Sequence, residues 1–206
     1  MGIDAKLVKT LRDKTGAGMM DCKKALVETD GDIEKAVDHL RKTGVSKAEK
    51  KGARATKEGL VYSYIHAGGR LGVLVELNCE TDFVANTDGF TELAHNIAMQ
   101  IAATNPLGLD RDSIDDATIA REKDIFTEQA KSQGKPDNII EKMVEGRINK
   151  FYSESCLIDQ IYIKDPDKKV GDLITGAIST LGENISINRF IRFAIGEADP
   201  TSNGQA

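Results

Sequence analysis

The chain reads as an α+β protein: an N-terminal three-helix bundle followed by an antiparallel sheet covered on one face by helices. Three observations lead there. Within the first 44 residues the apolar side chains recur only at helical spacing, between Gly- and Asp-rich breaks. Leu71, Val73, Val75, Leu77 and Cys79 alternate with other residues, the period of a half-buried strand. Between that strand and a second alternating run near the C-terminus, helical spacing returns, so helices gather between strands and cover one side of the sheet.

The bundle is justified helix by helix. Asp4 is placed to cap a first helix carrying Leu7, Val8 and Leu11, which Thr15-Gly16-Ala17-Gly18 interrupts. A second helix puts Met19, Cys22, Leu26 and Val27 on one face and ends at the turn Thr29-Asp30-Gly31-Asp32. Asp32 caps a third, whose Ile33, Ala36, Val37 and Leu40 form the clearest apolar stripe and which is expected to stop near Gly44.

The larger part begins with strands at Leu60 to His66 and Leu71 to Cys79, joined through Ala67-Gly68-Gly69-Arg70, a tight-hairpin signal. Phe90, Leu93, Ala94, Ile97, Ala98 and Ile101 then trace one helical face, ended by Asn105-Pro106. A further helix is expected over Ala117 to Ser132 with Ile125, Phe126 and Gln129 inward. Another starts at Pro136 and carries Ile140, Met143, Val144, Ile148 and Phe151. Leu157 to Ile163 reads as a short strand, and Val170, Leu173, Ile174 and Ile178 as a helix. Ile185, Ile187, Ile191, Phe193 and Ile195 make a last strand with one apolar face, broken by Arg189, before a tail expected to be disordered from Glu197.

Composition narrows the class. With 206 residues, 40% hydrophobic and 30% charged, the chain has room for one medium and one small folded part. It has no apolar run of membrane-spanning length and no secretory signal at its start. Cys22, Cys79 and Cys156 are odd in number and widely spaced, which suits free thiols in a reducing cytoplasm and not a disulfide framework or zinc site. Residues 1–58 hold 14 Lys or Arg against 10 Asp or Glu, and the remainder 14 against 23, so a mildly basic part precedes an acidic one. From Arg41 to Lys57 seven basic residues face only Glu49. No aromatics interleave with them and the chain has no Trp, so a solvated linker is expected over residues 45–58 and no direct contact with nucleic acid.

Catalytic and cofactor signatures are missing. Gly16-Ala17-Gly18 lacks the third glycine of a dinucleotide fingerprint and follows no strand, and neither a phosphate-binding loop nor His-Glu-x-x-His occurs. His39, His66 and His95 lie on separate elements, and no cysteine neighbours a histidine. The expectation is no enzyme, no cofactor and no metal. The most informative stretch is Thr81-Asp82-Phe83-Val84-Ala85-Asn86, where a strand ends and presents a carboxylate beside an aromatic. Either this loop is a functional site on a rigid support, or Asp82 caps a helix and Phe83 folds back into the core.

Longer motifs resolve part of this. Thr15-Gly16-Ala17-Gly18-Met19-Met20-Asp21-Cys22-Lys23-Lys24-Ala25-Leu26, followed by Gly31-Asp32 and Leu40-Arg41, resembles the translation elongation factor Ts family. So do Asn78-Cys79-Glu80-Thr81-Asp82-Phe83-Val84-Ala85-Asn86, Ser132-Gln133-Gly134-Lys135-Pro136 with Glu141 to Arg147, and Phe190-Ile191-Arg192-Phe193. The matches keep their order across nearly the whole chain.

The resemblance implies a guanine nucleotide exchange factor for elongation factor Tu, with no cofactor of its own. It implies a ubiquitin-associated-like module at residues 1–44 that docks on the partner's GTPase domain; Met19, Met20 and Lys23 are the residues expected to form its contact surface. Thr81, Asp82, Phe83 and Val84 would displace the partner's magnesium, Phe83 as a wedge and Asp82 on polar groups beside it. Glu80 and Asn86 receive no role. Only one α/β unit, residues 59–196, is found where longer family members carry two, which implies a homodimer through that unit. The alternative is a module that binds nascent chains or ubiquitin-like partners through the adaptable Met19 and Met20, without exchange activity. A thiol hydrolase using Cys79 or Cys156 stands third.

Overall fold

The computed structural model describes residues 3–134 and 136–197. Helices α1 (Ala5–Thr15), α2 (Met19–Glu28) and α3 (Ile33–Lys51) come first. Strands β1 (Glu58–Ile65) and β2 (Leu71–Cys79), helices α4 (Asp82–Ala85), α5 (Asp88–Thr104), α6 (Asp116–Ser132) and α7 (Asp137–Ser155) follow. A 3₁₀ turn at Leu157–Asp159, β3 (Ile161–Tyr162), β4 (Asp165–Lys169), α8 (Val170–Leu181) and β5 (Ser186–Ala194) complete the order. β1, β2 and β5 form one antiparallel sheet in that order, and β3 pairs antiparallel with β4. The chain divides into two compact units, residues 1–62, 76–94 and 172–188 in the first and 63–75, 95–171 and 189–206 in the second.

In the first unit the expected caps are in place: Asp4 accepts from the Lys6 N–H and Asp32 from the Lys35 N–H. The bundle core is Val8, Leu11, Ala17, Cys22, Ala25, Leu26 and Ala36, with Ile33, Val37 and Leu40 packed against it. Met19 and Val27, expected inward, are exposed; the buried face of α2 is Cys22, Ala25 and Leu26. A second correction concerns the end of α3, which continues past Gly44 for seven residues to Lys51. Gly44 is buried because α8 lies against it: a Cβ there would sit 3.3 Å from the Ser179 Oγ, so this glycine serves packing and not termination. Lys50 and Lys51 then end the helix where its dipole favours cations. Gly59, at φ 149°, lets β1 pass so close to β2 that a Cβ would fall 2.2 Å from the Leu77 carbonyl oxygen.

In the second unit, Gly68 and Gly69 both adopt positive φ, and the hairpin closes through the His66 N–H to the Leu71 carbonyl at 2.8 Å. The buried Gln100 side chain donates to Gln160 Oε1 at 3.0 Å and accepts from the Ile163 N–H at 2.9 Å, tying α5 to the β3–β4 hairpin. The strand expected over Leu157 to Ile163 is therefore a 3₁₀ turn and two residues of β3, because the main chain turns to meet Gln100 and Gly108. Ile125 and Gln129 of α6 face solvent; Ile119 and Ala130 are the buried residues of that helix.

The last correction falls on β5. Ile185 and Ile187 are buried, yet Ile191, Phe193 and Ile195 are exposed, while Phe190, Arg192 and Ala194 are half-buried. The inward positions change from odd to even between Ile187 and Phe190, and Arg192 Nε donates to the Ala102 carbonyl on α5 at 3.2 Å. A one-residue change of phase moves every later side chain to the other face. Of the expected tail, residues 198–206 lie outside the described residues.

Candidate partner-binding site

β2 delivers the chain to Cys79, where alternating burial stops and α4 begins three residues later. The Cys79 thiol donates to the Thr81 carbonyl at 3.1 Å, which also accepts from the Ala85 N–H at 3.3 Å. Asn86 Nδ2 donates to the Asp82 carbonyl at 2.8 Å and the Thr87 hydroxyl to the Val84 carbonyl at 2.8 Å, closing the short helix. Glu183, far away in sequence, completes the clamp. Its Oε2 accepts from the Glu80 N–H at 3.1 Å and the Thr81 N–H at 3.0 Å, and its Oε1 from the Thr81 hydroxyl at 2.6 Å. Glu80 in turn accepts from the Asn184 N–H at 2.6 Å and pairs with Arg54 at 3.4 Å.

This anchoring decides between the two readings of the aromatic. Ala85 is buried and Val84 half-buried, but Thr81 and Asp82 are exposed and Phe83 is 84% exposed, the highest value among the exposed large apolar residues described. Phe83 is not a core residue. It is a large apolar side chain held in water by an anchored turn, with the exposed carboxylate of Asp82 beside it.

The electrostatics disfavour a nucleophilic thiol here. The Asn184 N–H, with help from the Arg54 guanidinium, holds the Glu80 carboxyl below its ordinary range. Burial, reinforced by the Glu183 carboxylate, pushes the Cys79 thiol up, and burial pushes Cys156 up to about 11. Thiolates are thus disfavoured at both cysteines proposed for a hydrolase, and nucleophilic cysteines need the opposite. Among the described residues no group of three His, Cys, Asp or Glu is arranged to hold a metal ion, and no helix is long and apolar enough to cross a membrane.

On the helical module Met19 and Met20 are both exposed at the start of α2, with exposed Lys23 one turn on. Neither methionine packs in the bundle. Their neighbour Asp21 is engaged by Lys47 at 2.7 Å, and Lys51 donates to the Gly182 carbonyl. Part of the basic run from Arg41 to Lys57 is therefore used inside the first unit, as Arg54 is also. Sequence reasoning missed Glu183 and gave Glu80 no role. The available signal was a carboxylate in the polar turn Gly182-Glu183-Asn184 between a helix and a strand, but nothing local indicates which distant amides it meets.

Fold and site define a two-part α+β protein that displays a clamped aromatic loop on one element and an apolar methionine pair on another. The chain belongs to the elongation factor Ts family, whose family model matches residues 5–197. It is 60% identical to elongation factor Ts of Syntrophomonas wolfei over 195 residues, 95% of this chain and 91% of that protein. Elongation factor Ts of Thermoanaerobacter sp. strain X514 is 55% identical over 203 residues, covering 98% of this chain and all of its own length. That of Thermosipho melanesiensis is 54% identical over 195 residues, 95% of this chain and 100% of that protein. The chain is thus a translation elongation factor.

Proposed function

We propose that this factor is a guanine nucleotide exchange factor: it binds elongation factor Tu carrying GDP, displaces the magnesium and promotes release of the nucleotide. The single observation that carries the reading is the 84% exposure of Phe83 on a loop clamped from both sides. Phe83 inserts between helices of the partner, Asp82 engages polar groups beside it, and Thr81 and Val84 hold the pair in place. Magnesium bridges phosphate and protein oxygens in such sites, so disturbing its ligands leaves the diphosphate charge poorly compensated and GDP departs faster. Linkage makes the effect reciprocal: a factor that weakens GDP binding is itself weakened by GDP, so returning nucleotide expels it. The factor is no enzyme in the bond-making sense, needs no cofactor, and acts in the cytoplasm, where its three buried free cysteines stay reduced.

Residues 1–44 dock on the partner through Met19, Met20 and Lys23, supported by the exposure of all three. Residues 59–196 form a homodimer. In support, Ile65, Leu74, Ile191, Phe193 and Ile195 of the second unit are all exposed, and clustered exposed apolar side chains mark interaction surfaces. Release of labelled GDP from elongation factor Tu, measured with and without this protein, tests the reading. An unchanged release rate overturns it and leaves the nascent-chain or ubiquitin-like binding module, which the exposed methionine pair favours.

A further inference from the structure

We propose that the turn Gly182-Glu183-Asn184 is a positioning device that holds the helical module and the Thr81–Val84 loop in one fixed relation, with Glu183 the positioning residue for the loop. The inference rests on the exchange reading above and adds to it the residue that keeps the aromatic in its working place.

Two sets of contacts within the first unit converge on this turn. From the helical module, Gly44 and Gly16 abut the end of α8: a Cβ on Gly44 would lie 3.3 Å from the Ser179 Oγ, and one on Gly16 3.6 Å from the Thr180 Cγ2. Lys51 Nζ donates to the Gly182 carbonyl, and Asn184 Nδ2 donates to the Arg54 carbonyl at 2.7 Å and the Gly52 carbonyl at 3.4 Å. Toward the loop, the Asn184 N–H donates to Glu80 Oε1, Glu183 Oε2 accepts from the Glu80 and Thr81 N–H groups, and Glu183 Oε1 accepts from the Thr81 hydroxyl. Three consecutive residues thus bond the end of α3 and the segment after it on one side and the loop on the other.

The chemistry explains why a carboxylate stands there. β2 ends at Cys79, so the N–H groups of Glu80 and Thr81 need another acceptor. One carboxylate takes both and the Thr81 hydroxyl as well, through charge-assisted bonds stronger than those a neutral group makes. A loop ordered before it meets its partner loses less entropy on binding. Two contact elements at a fixed spacing also act on one partner together, the second contact then being intramolecular.

The test uses the full chain and elongation factor Tu loaded with labelled GDP. Release is followed over a range of factor concentrations for the wild type, Glu183→Ala, Glu183→Gln, Phe83→Ala and the Glu183→Ala/Phe83→Ala double variant. Glu183→Ala is expected to lower the maximal rate about tenfold, while the half-saturating concentration moves less than about threefold because the helical module still docks. Glu183→Gln keeps one accepting oxygen and falls between. Because Glu183 acts through the loop, the double variant should be no more than about twofold slower than Phe83→Ala alone. Without any partner, amide hydrogen exchange at Glu80 and Thr81 should quicken at least about tenfold in Glu183→Ala.

A wild type that leaves GDP release unchanged sinks the exchange reading but not the device, which the two amides still decide. An active wild type with Glu183→Ala at the same rate, multiplicative effects in the double variant, or equal amide protection overturns the device. If Glu183→Ala does not fold, Glu183→Gln carries both measurements under the same criteria.

Discussion

The thiol of Cys79 and the carbonyl of Thr81 form a 3.1 Å hydrogen bond across the junction between the central strand and the exposed loop. A buried sulfur thus braces the main chain two residues before the aromatic that water surrounds. The Thr81 carbonyl keeps a second donor, the Ala85 N–H, so the brace is shared.

Phe83→Ala should leave the melting temperature almost unchanged, a stability effect within about 0.5 kcal/mol, as for other surface substitutions. A core phenylalanine would cost about 3–5 kcal/mol. In the same variant GDP release from elongation factor Tu should slow substantially, and Asp82→Ala should slow it less, because a charge at an interface edge contributes less than a desolvated aromatic. Thermal melting and stopped-flow release, run on one preparation, check both parts.

All three cysteines are buried and free, and the thiols of Cys79 and Cys156 are shifted up by burial. Labelling by an alkylating reagent at pH 7 should therefore be slow in the folded protein and fast in urea, with exchange activity intact in the unlabelled fraction. Rapid labelling of Cys79 at neutral pH would contradict the site described.

Gly59→Ala should be among the most damaging single substitutions, destabilising by more than about 2 kcal/mol, because the added methyl meets main-chain atoms that cannot move aside and φ is unfavourable for alanine. The contact is 2.2 Å to the Leu77 carbonyl oxygen. Denaturant unfolding measures it, and a variant as stable as the wild type would refute the close approach.

Acid should loosen the clamp. The Glu80 carboxyl lies below its ordinary 4.5, first through the Asn184 N–H and then through Arg54. A folded-state value below the unfolded one adds stability that is complete above the unfolded value and is lost as pH falls through the folded one. The melting temperature should thus decline below pH 4.5, and Glu80→Gln should flatten that part of the profile. The measurement is a melting series across the acid range.

Phe193→Asp should convert a dimer into a monomer without unfolding the chain, since Phe193 is 62% exposed in the single copy. Sedimentation at micromolar concentration distinguishes a species of 22.4 kDa from one of twice that mass. A wild type that sediments as a monomer removes the proposal.

Much of this is legible in the sequence. The stripe of Phe90, Leu93, Ala94, Ile97, Ala98 and Ile101 is buried throughout, and Val73, Val75, Leu77 and Cys79 all face inward, because strict period and strong apolar character leave one solution. Gly44 misled because a glycine in a helical pattern reads as a stop, whereas packing against Ser179 needs the same residue. β5 misled because its odd positions are all apolar except Arg189, so no residue type signals where inward and outward exchange. Of the site, Thr81 to Val84 was visible as a motif, while Glu183 was not, since its bonds join residues 102 and 103 positions apart.

The exchange of faces within β5 has a bearing on how this chain would tolerate insertions and deletions. Asn188 and Arg189 are exposed and polar, the kind of position where a lost residue ordinarily does little harm. Here the loss of one would advance the strand by a single step, turning Phe193 and Ile195 toward α5 and setting the guanidinium of Arg192 in the water. The sheet would gain a larger interior and surrender its apolar exterior. Length between Ile187 and Phe190 therefore matters more to this strand than identity, and a residue there should be easier to replace than to remove.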